Sequence, residues 1–371
     1  MNILVTGGAG FIGSHLVDAL VGKGHRVRIL DSLVEQVHGP SPPEHLNHEA
    51  EFIHSDLCDA EVVAKALDGI EVIYHQAAEV GVAQSMYEIV RFVRANDLGT
   101  AVLLQEIVKR RSQLKKLIVA SSMSIYGEGP YRCPVCHVVS QPSPRPEEQL
   151  AAHQWEFVCD TCGTQLDAIG TPEEKPLSPT SVYAVNKQAQ EQYCMTVGRA
   201  YDIPTVAFRY FNVYGTRQAL SNPYTGVCAI FSARLLNDQA PVIFEDGGQS
   251  RDFVHVSDVA AANVLAMESA EADHHVVNIG SGKATSVKQI ALTIAEGLNK
   301  DIEPIIEGKY RQGDIRHCIA DISRARRLLN FEPKVSLQSG LNELLGWLSA
   351  QKPEDRVTKA TSELAEHGLV R

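Results

Sequence analysis

The chain has no long hydrophobic run. None of its 371 residues lies in a window approaching the roughly 20 consecutive apolar positions that a bilayer span requires, and no export segment is visible, so a membrane is not an expected partner. Positive charge is also in deficit, with 34 Lys and Arg against 45 Asp and Glu and a formal net charge of −11. That field repels phosphate backbones and anionic lipid head groups, so nucleic acid is not an expected partner either. Eight cysteines in this length are too few for a disulfide framework. What is present is a 44% hydrophobic, 21% charged composition, outside the range of disordered chains. The length suits one large α/β unit or two domains sharing a cleft, and it excludes a peptide hormone or single-motif module. Met1 to Thr6 runs straight into a glycine cluster and reads as a core strand, so the expected compartment is the cytoplasm.

Residues 3–5, 27–30, 52–53, 72–74 and 117–120 are short β-branched-rich runs bounded by polar or glycine residues, as buried parallel strands are. Amphipathic stretches 12–21, 60–67 and 98–108 lie between them. Strands alternating with helices at this spacing predict right-handed βαβ units and a doubly wound parallel sheet. A helix-like segment, 183–201, then leads into another strand, 205–210. Later elements (helices near 227–236, 287–298 and 337–348, a strand near 242–244) read as a smaller α/β domain packed on the first. The expected division is a dinucleotide-binding domain over 1–208, an insertion over 130–170, a second domain over 209–350 and a tail over 351–371. That tail has little apolar periodicity and suggests no role.

Thr6 is followed by Gly7-Gly8-Ala9-Gly10-Phe11-Ile12-Gly13. Glycines alone are a weak signal, because ordinary tight turns use them. Placed between a strand and a helix, they let backbone approach a pyrophosphate held at the helix N-terminus, the mark of a Rossmann sheet. Asp31 ends the second strand, where an acid would bond the adenosine ribose hydroxyls and repel a 2′-phosphate, favouring NAD over NADP. Asp56 and Leu57 after the third strand and Ala77 after the fourth are further expected cofactor contacts.

Tyr183 and Lys187 stand four apart on a predicted helix, so both side chains share one face. A lysine there would lower the phenol's pKa and bind nicotinamide ribose hydroxyls. Upstream, the serines of SSMSIYG, 121–127, close the fifth strand at the sheet edge where doubly wound folds bind ligands. A solvent-facing Tyr and Lys would be the commoner explanation of the pair alone; fingerprint, serine and Tyr-x-x-x-Lys in that order are far more specific.

Together with RYFNVYG (209–215) and RDFVHVSD (251–258), these motifs resemble the extended short-chain dehydrogenase/reductase family, and within it the nucleotide-sugar epimerases typified by UDP-galactose 4-epimerase. The resemblance spans residue 1 to about 347, apart from the insertion. It implies Ser122 and Tyr183 as the catalytic pair with Lys187 beside them, Ser124, Asn212, Arg251, Arg311 and Asp314 as sugar-nucleotide contacts with both arginines facing the diphosphate, and a homodimer. Family members that dehydrate a sugar usually carry Asp-Glu after the catalytic serine or threonine, and decarboxylating members carry Glu at the second place. Met123 and Ser124 stand there in this chain. The implied activity is therefore C4 epimerisation of a nucleotide sugar through a 4-keto intermediate with tightly held NAD. A nucleotide-sugar dehydrogenase or 4-keto reductase is the alternative, and an NAD-binding scaffold the non-enzymatic one. Residues 218–227 and the insertion resemble the dTDP-L-rhamnose 4-epimerase group, which points to dTDP-L-rhamnose and surface polysaccharide supply; a UDP-hexose is the other candidate substrate.

The insertion carries Cys133, Cys136, Cys159 and Cys162 as two Cys-x-x-Cys pairs separated by residues 137–158. Two such knuckles in a poorly hydrophobic segment match a zinc ribbon, in which four thiolates complete a closed structural site. Redox thiols are the other reading. Cys58, Cys194, Cys228 and Cys318 read as isolated buried thiols.

Overall fold

The computed structural model describes every residue except 223, 225, 312, 352–354, 356 and 371, and the backbone alone for 357–361. Two residues of the 218–227 stretch, Pro223 and Thr225, thus lie outside the described residues. Seven parallel strands form the central sheet: β1 (Asn2–Thr6), β2 (Arg26–Asp31), β3 (Glu51–His54), β4 (Val72–His75), β5 (Lys116–Ser122), β6 (Thr205–Tyr210) and β7 (Val276–Ile279). Their order is β7-β6-β5-β4-β1-β2-β3, so the order reverses between β1 and β4. Such a switch point opens a crevice at the strands' carboxyl ends.

Both sheet faces are covered, which explains the unbroken hydrophobic runs. Successive side chains point to opposite faces. Ile3, Val5, Ile29 and Ile118 pack with α1 (Phe11–Gly22) on one face, while Leu4, Leu30, Leu117 and Val119 pack on the other. That second layer comprises α2 (Ala60–Ala66), α3 (Gly99–Lys109) and α4 (Val182–Ala200). The fold is thus the expected Rossmann-like α/β sheet.

Residues from 212 onward add a smaller sheet of strands Asn212–Tyr214, Ser250–His255, Ala284–Ser286 and His317–Ala320. Its edge strand, Gly170–Thr171, comes from the end of the insertion and pairs with Ile319 and Ala320. The insertion itself holds a three-stranded antiparallel sheet, Tyr131–Arg132 flanked by Val139–Ser140 and Asp167–Ala168. Its one buried charged side chain, Arg145, is bonded to the later residues Glu245 and Asp314. The tail contains a helix, Val357–Glu366. Cys194, Cys228 and Cys318 are buried, whereas Cys58 is half-exposed on the loop after β3. No helix among the described residues is long and apolar enough to cross a membrane.

One buried ion pair ties α4 to the sheet. Arg209 on β6 donates from Nε and Nη2 to the two carboxylate oxygens of Glu191 on α4, at 2.9 and 2.6 Å. Glu191 also accepts from Ser121 Oγ at 2.6 Å, and Arg209 Nη1 donates to Tyr126 Oη at 2.8 Å. Removing one partner of a buried pair leaves an uncompensated charge and costs about 3–5 kcal/mol. Arg209→Met should therefore destabilise the protein by about that amount in denaturant melts. The pair Arg209→Met/Glu191→Leu should lose less than the single variant; equal stability of single variant and parent would remove the clamp.

Candidate active site

The glycine loop forms one end of a cleft of about 730 Å³ along the carboxyl edge of the sheet. Gly7 has φ +70°, and a Cβ there would lie 2.7 Å from the Ala77 backbone. A Cβ on Gly13 would stand 2.1 Å from the Gly7 carbonyl oxygen. These two positions admit only glycine, and they draw α1 close under the β1 and β4 loops. Gly10 caps α1 without a side-chain bond, so the first-turn N–H groups at Phe11, Ile12 and Gly13 suit a pyrophosphate. Asp31 accepts from Ala9 N at 3.0 Å and Leu33 N at 2.9 Å, which fixes its carboxylate at the cleft wall. His38 stands 3.7 Å away, and burial holds its pKa below the usual imidazole value, so among the described residues no strong cation faces a 2′-phosphate here. Asp56, Leu57 and Ala77 line the same end. The residues present therefore fit a dinucleotide.

Midway along the cleft stand Ser122 at the end of β5 and Tyr183 and Lys187 on the first turns of α4. Ser181 caps α4 by accepting from Ala184 N at 3.1 Å, and Ser85 Oγ accepts from Tyr183 N at 2.9 Å, so the tyrosine's backbone is held from two sides. Burial pushes the Tyr183 phenol up to about 12, against a smaller downward pull from the Ser122 hydroxyl. Lys187 shares this helix face but is bonded away from the phenol. Its Nζ donates to Gln190 Oε1 at 2.8 Å, and burial lowers it to about 8. From Gln190 a buried chain runs through Thr100 and His75 to Thr6 on β1, with bonds of 2.9, 2.9 and 2.8 Å. His75 is pushed down to about 3 by burial and serves as a neutral strut.

Asn212, Ser124, Arg251, Arg311 and Asp314 line the far end, so every expected catalytic, cofactor and sugar-nucleotide residue borders this one cleft. The two arginines differ in kind. Arg251 spends four bonds on Ser250 O, Arg316 O, Ile315 O and Asp314 Oδ1, and Nε alone of its five donors is left over. Arg311 lies over the Phe244 ring, 4.3 Å from its centroid, and its Nε is buried without a partner. Ser124 Oγ and Asn212 Oδ1 are likewise buried and unpaired. Buried polar atoms of this kind call for a polar ligand.

Sequence reasoning missed several residues. Glu191 follows Lys187 by one helical turn and could have been flagged as a buried-face acid. Asn96 grips the backbone of Glu79 from both sides, at 2.8 and 3.1 Å, and fixes the loop after β4. The tail gave no signal. Its Leu364 and Leu369 line the cleft, Glu363 accepts from Tyr224 Oη, and Val370 bridges to Arg311.

Outside the cleft, the sulfurs of Cys133, Cys136, Cys159 and Cys162 all lie within 4.8 Å of one another, with 3.5 Å between Cys133 and Cys162 and 3.4 Å between Cys136 and Cys159. Four thiolates about 2.3 Å from one ion would stand about 3.8 Å apart. The two loops share one backbone pattern: Cys133 N and Cys159 N donate to Val138 O and Thr164 O, and His137 and Gly163 take the left-handed conformation after the second cysteine. None of the eight cysteines forms a disulfide.

The family model for the NAD dependent epimerase/dehydratase family matches residues 3–153 and 162–280. Among curated relatives, the dTDP-L-rhamnose 4-epimerase of Burkholderia thailandensis is 36% identical over 353 residues, covering 94% of this chain and 95% of the relative. Among solved structures, the UDP-glucose 4-epimerase of Thermotoga maritima with UDP-glucose is 34% identical with a TM-score of 0.76, covering 94% and 99% of the two chains. The UDP-glucose 4-epimerase of Thermus thermophilus in complex with NAD is 29% identical with a TM-score of 0.74, covering 95% of this chain and 100% of its own.

Proposed function

This chain belongs to the NAD dependent epimerase/dehydratase family, and we propose that it inverts C4 of a nucleotide sugar with NAD held through the cycle. The observation that carries the reading is the convergence of the glycine loop, Ser122, Tyr183 and Lys187, and the arginine-bearing far end on one cleft. The carboxylates lining it already have partners: Asp31 its two N–H groups, Asp56 the Cys58 N–H, Glu79 the Arg91 guanidinium and Asp314 the Arg251 guanidinium. With Met123 and Ser124 after Ser122, no free acid and base among the described residues are at hand to remove water, which favours epimerisation over dehydration.

Gly7, Gly10, Phe11, Ile12, Gly13, Asp31, Asp56, Leu57, Ala77 and Lys187 would hold NAD, which when bound supplies the acceptor and later the donor of the C4 hydride. Tyr183 Oη takes the proton of the sugar 4-hydroxyl, and Ser122 Oγ hydrogen-bonds the same oxygen. The protonated Lys187 favours the phenolate that burial opposes. The 4-keto sugar turns within the cleft, and Tyr183 returns the proton to the opposite alcohol. Arg311 and Arg251 offset the diphosphate charge, and Ser124 and Asn212 offer their unpaired oxygens to sugar hydroxyls. Beyond those two arginines and Lys187, the cleft wall has, among the described residues, no Lys or Arg left to bind a carboxylate on the sugar. Val80, Met86, Leu364 and Leu369 make part of it apolar. The apolar part of the wall favours a neutral hexose or 6-deoxyhexose, with dTDP-L-rhamnose, converted to dTDP-6-deoxy-L-talose, and a UDP-hexose as candidates.

The four cysteines would hold one structural zinc, since four thiolates leave no open position for catalysis. A second copy of the chain would cover the apolar face formed by Ile89, Val90, Val93 and Leu98 with Val185 and Tyr193 of α4, where Val90 is 82% exposed. These segments pack side by side.

Each reading has its own measurement. Tyr183→Phe should lower kcat by about 10²–10⁴-fold while KM changes little and the purified protein still carries NAD. Product analysis by NMR should show C4 inversion without net NADH; steady NADH formation would favour the dehydrogenase. Mass spectrometry should find about one zinc per chain, and none in Cys133→Ser/Cys162→Ser; a metal-free native protein with paired disulfides would favour redox thiols. Sedimentation should give a dimer that Val90→Asp/Tyr193→Asp converts to monomer, and a monomeric parent protein would end the dimer reading.

A further inference from the structure

The cysteine-bearing insertion is bonded to the segment that presents the two cleft arginines. Arg145, in the insertion, has a fully buried side chain and pairs bidentately with Glu245, through Nη1 at 3.0 Å and Nη2 at 2.7 Å. Its Nη2 also donates to Asp314 O at 3.2 Å. Glu156, also in the insertion, accepts from Arg316 Nε at 2.8 Å and lies 3.2 Å from His317 Nε2. Just before the insertion, Glu128 accepts from the backbone N–H groups of Arg316 and His317, at 2.7 and 2.8 Å.

These bonds end on the cleft wall or within two residues of it. Glu245 follows Phe244, the ring on which Arg311 lies. Asp314, Ile315 and Arg316 supply three of the four acceptors that orient Arg251, the closest being Ile315 O at 2.7 Å. Arg316 Nη1 closes the circuit by donating to Glu245 at 2.9 Å. Two buried guanidiniums and their acids, of which Glu245 is buried and Glu156 partly exposed, therefore form a raft between the insertion and the run 311–317. Such a raft is expensive to bury, and its members hold one another in a single arrangement only while all are present.

We propose that Arg145 and Glu156 are positioning residues for the diphosphate of the substrate, and that the insertion's role in this enzyme is to fix the run 311–317 and, through it, Arg251 and Arg311. The proposal rests on the reading that these two arginines face the diphosphate. It assigns the insertion neither catalytic metal chemistry nor a separate partner. It also gives the cysteine cluster a reason to be rigid: Arg145 and Glu156 both fall between its two Cys-x-x-Cys loops, so a loose cluster would loosen both ends of the raft.

The test uses the full-length protein with its bound NAD and follows binding of UDP and of dTDP by calorimetry beside steady-state turnover. Arg145→Met should weaken binding of the better nucleotide about tenfold and raise KM similarly, with kcat within about threefold and NAD content unchanged. Arg145→Lys, which keeps the charge but not the fork, should fall between Met and the parent. Because a variant that acts partly through Arg251 cannot add its whole loss to that of Arg251→Met, Arg145→Met/Arg251→Met should bind more tightly than the product of the two single losses predicts. Glu156→Gln, at a partly exposed site, is expected to weaken binding in the same way and provides the readout should Arg145→Met not fold. If Arg251→Met weakens binding but Arg145→Met and Glu156→Gln do not, or if the losses add fully, the positioning role is wrong. If Arg251→Met and Arg311→Met themselves leave binding unchanged, it is the diphosphate reading that fails.

Discussion

The buried pair Arg209–Glu191 is the constraint on which the rest of the site depends. Tyr183 and Lys187 sit on α4, a helix with little intrinsic reason to lie at one height against the sheet. Glu191, one turn beyond Lys187, is held by the β6 arginine and by Ser121, the neighbour of Ser122. A single carboxylate thus sets the strand that ends in Ser122 and the helix that carries Tyr183 in register. A charge buried this deeply tolerates only the geometry in which its bonds are made, which is why the pair specifies position as well as contributing to stability.

Around this fixed point the cleft has two differently built ends. The cofactor end is made of backbone, with glycines at positions where any Cβ would strike a neighbouring peptide and a carboxylate anchored by two N–H groups. The far end is made of long side chains, which need external support to present charge in one place. Arg251 receives it from the carbonyls of residues 315 and 316, and Arg311 from the face of Phe244. The insertion and the tail both converge on this second end, where chain length has been spent on holding arginines still.

The insertion itself has little hydrophobic core. Tyr131, Cys133, Cys159 and Leu166 are its buried cluster, with Phe157 packed against them. A core of this size offsets little of the ordering entropy of 130–170, so the segment depends on the buried ion pair and hydrogen bonds that tie it to residues 245 and 314–317.

The sequence by itself determined the Rossmann sheet, the glycine cradle, the Ser122, Tyr183 and Lys187 set and the four-cysteine cluster. Each is carried by local pattern: strand and helix periods, glycines that no other residue can replace, and motifs whose members are a few positions apart. Only the tertiary structure decided what lies between distant segments. Glu191 meets Arg209 across two elements, Arg145 meets Glu245 a hundred positions away, and Leu364 and Leu369 return from a tail with no visible periodicity to wall the cleft. It also decided electrostatics that spacing could not: Lys187 and Tyr183 share a helix face, yet the lysine bonds Gln190, and burial, a property of the whole fold, sets the phenol's pKa. Local rules read bonds along the chain, whereas burial and long-range pairing exist only once the chain has closed on itself.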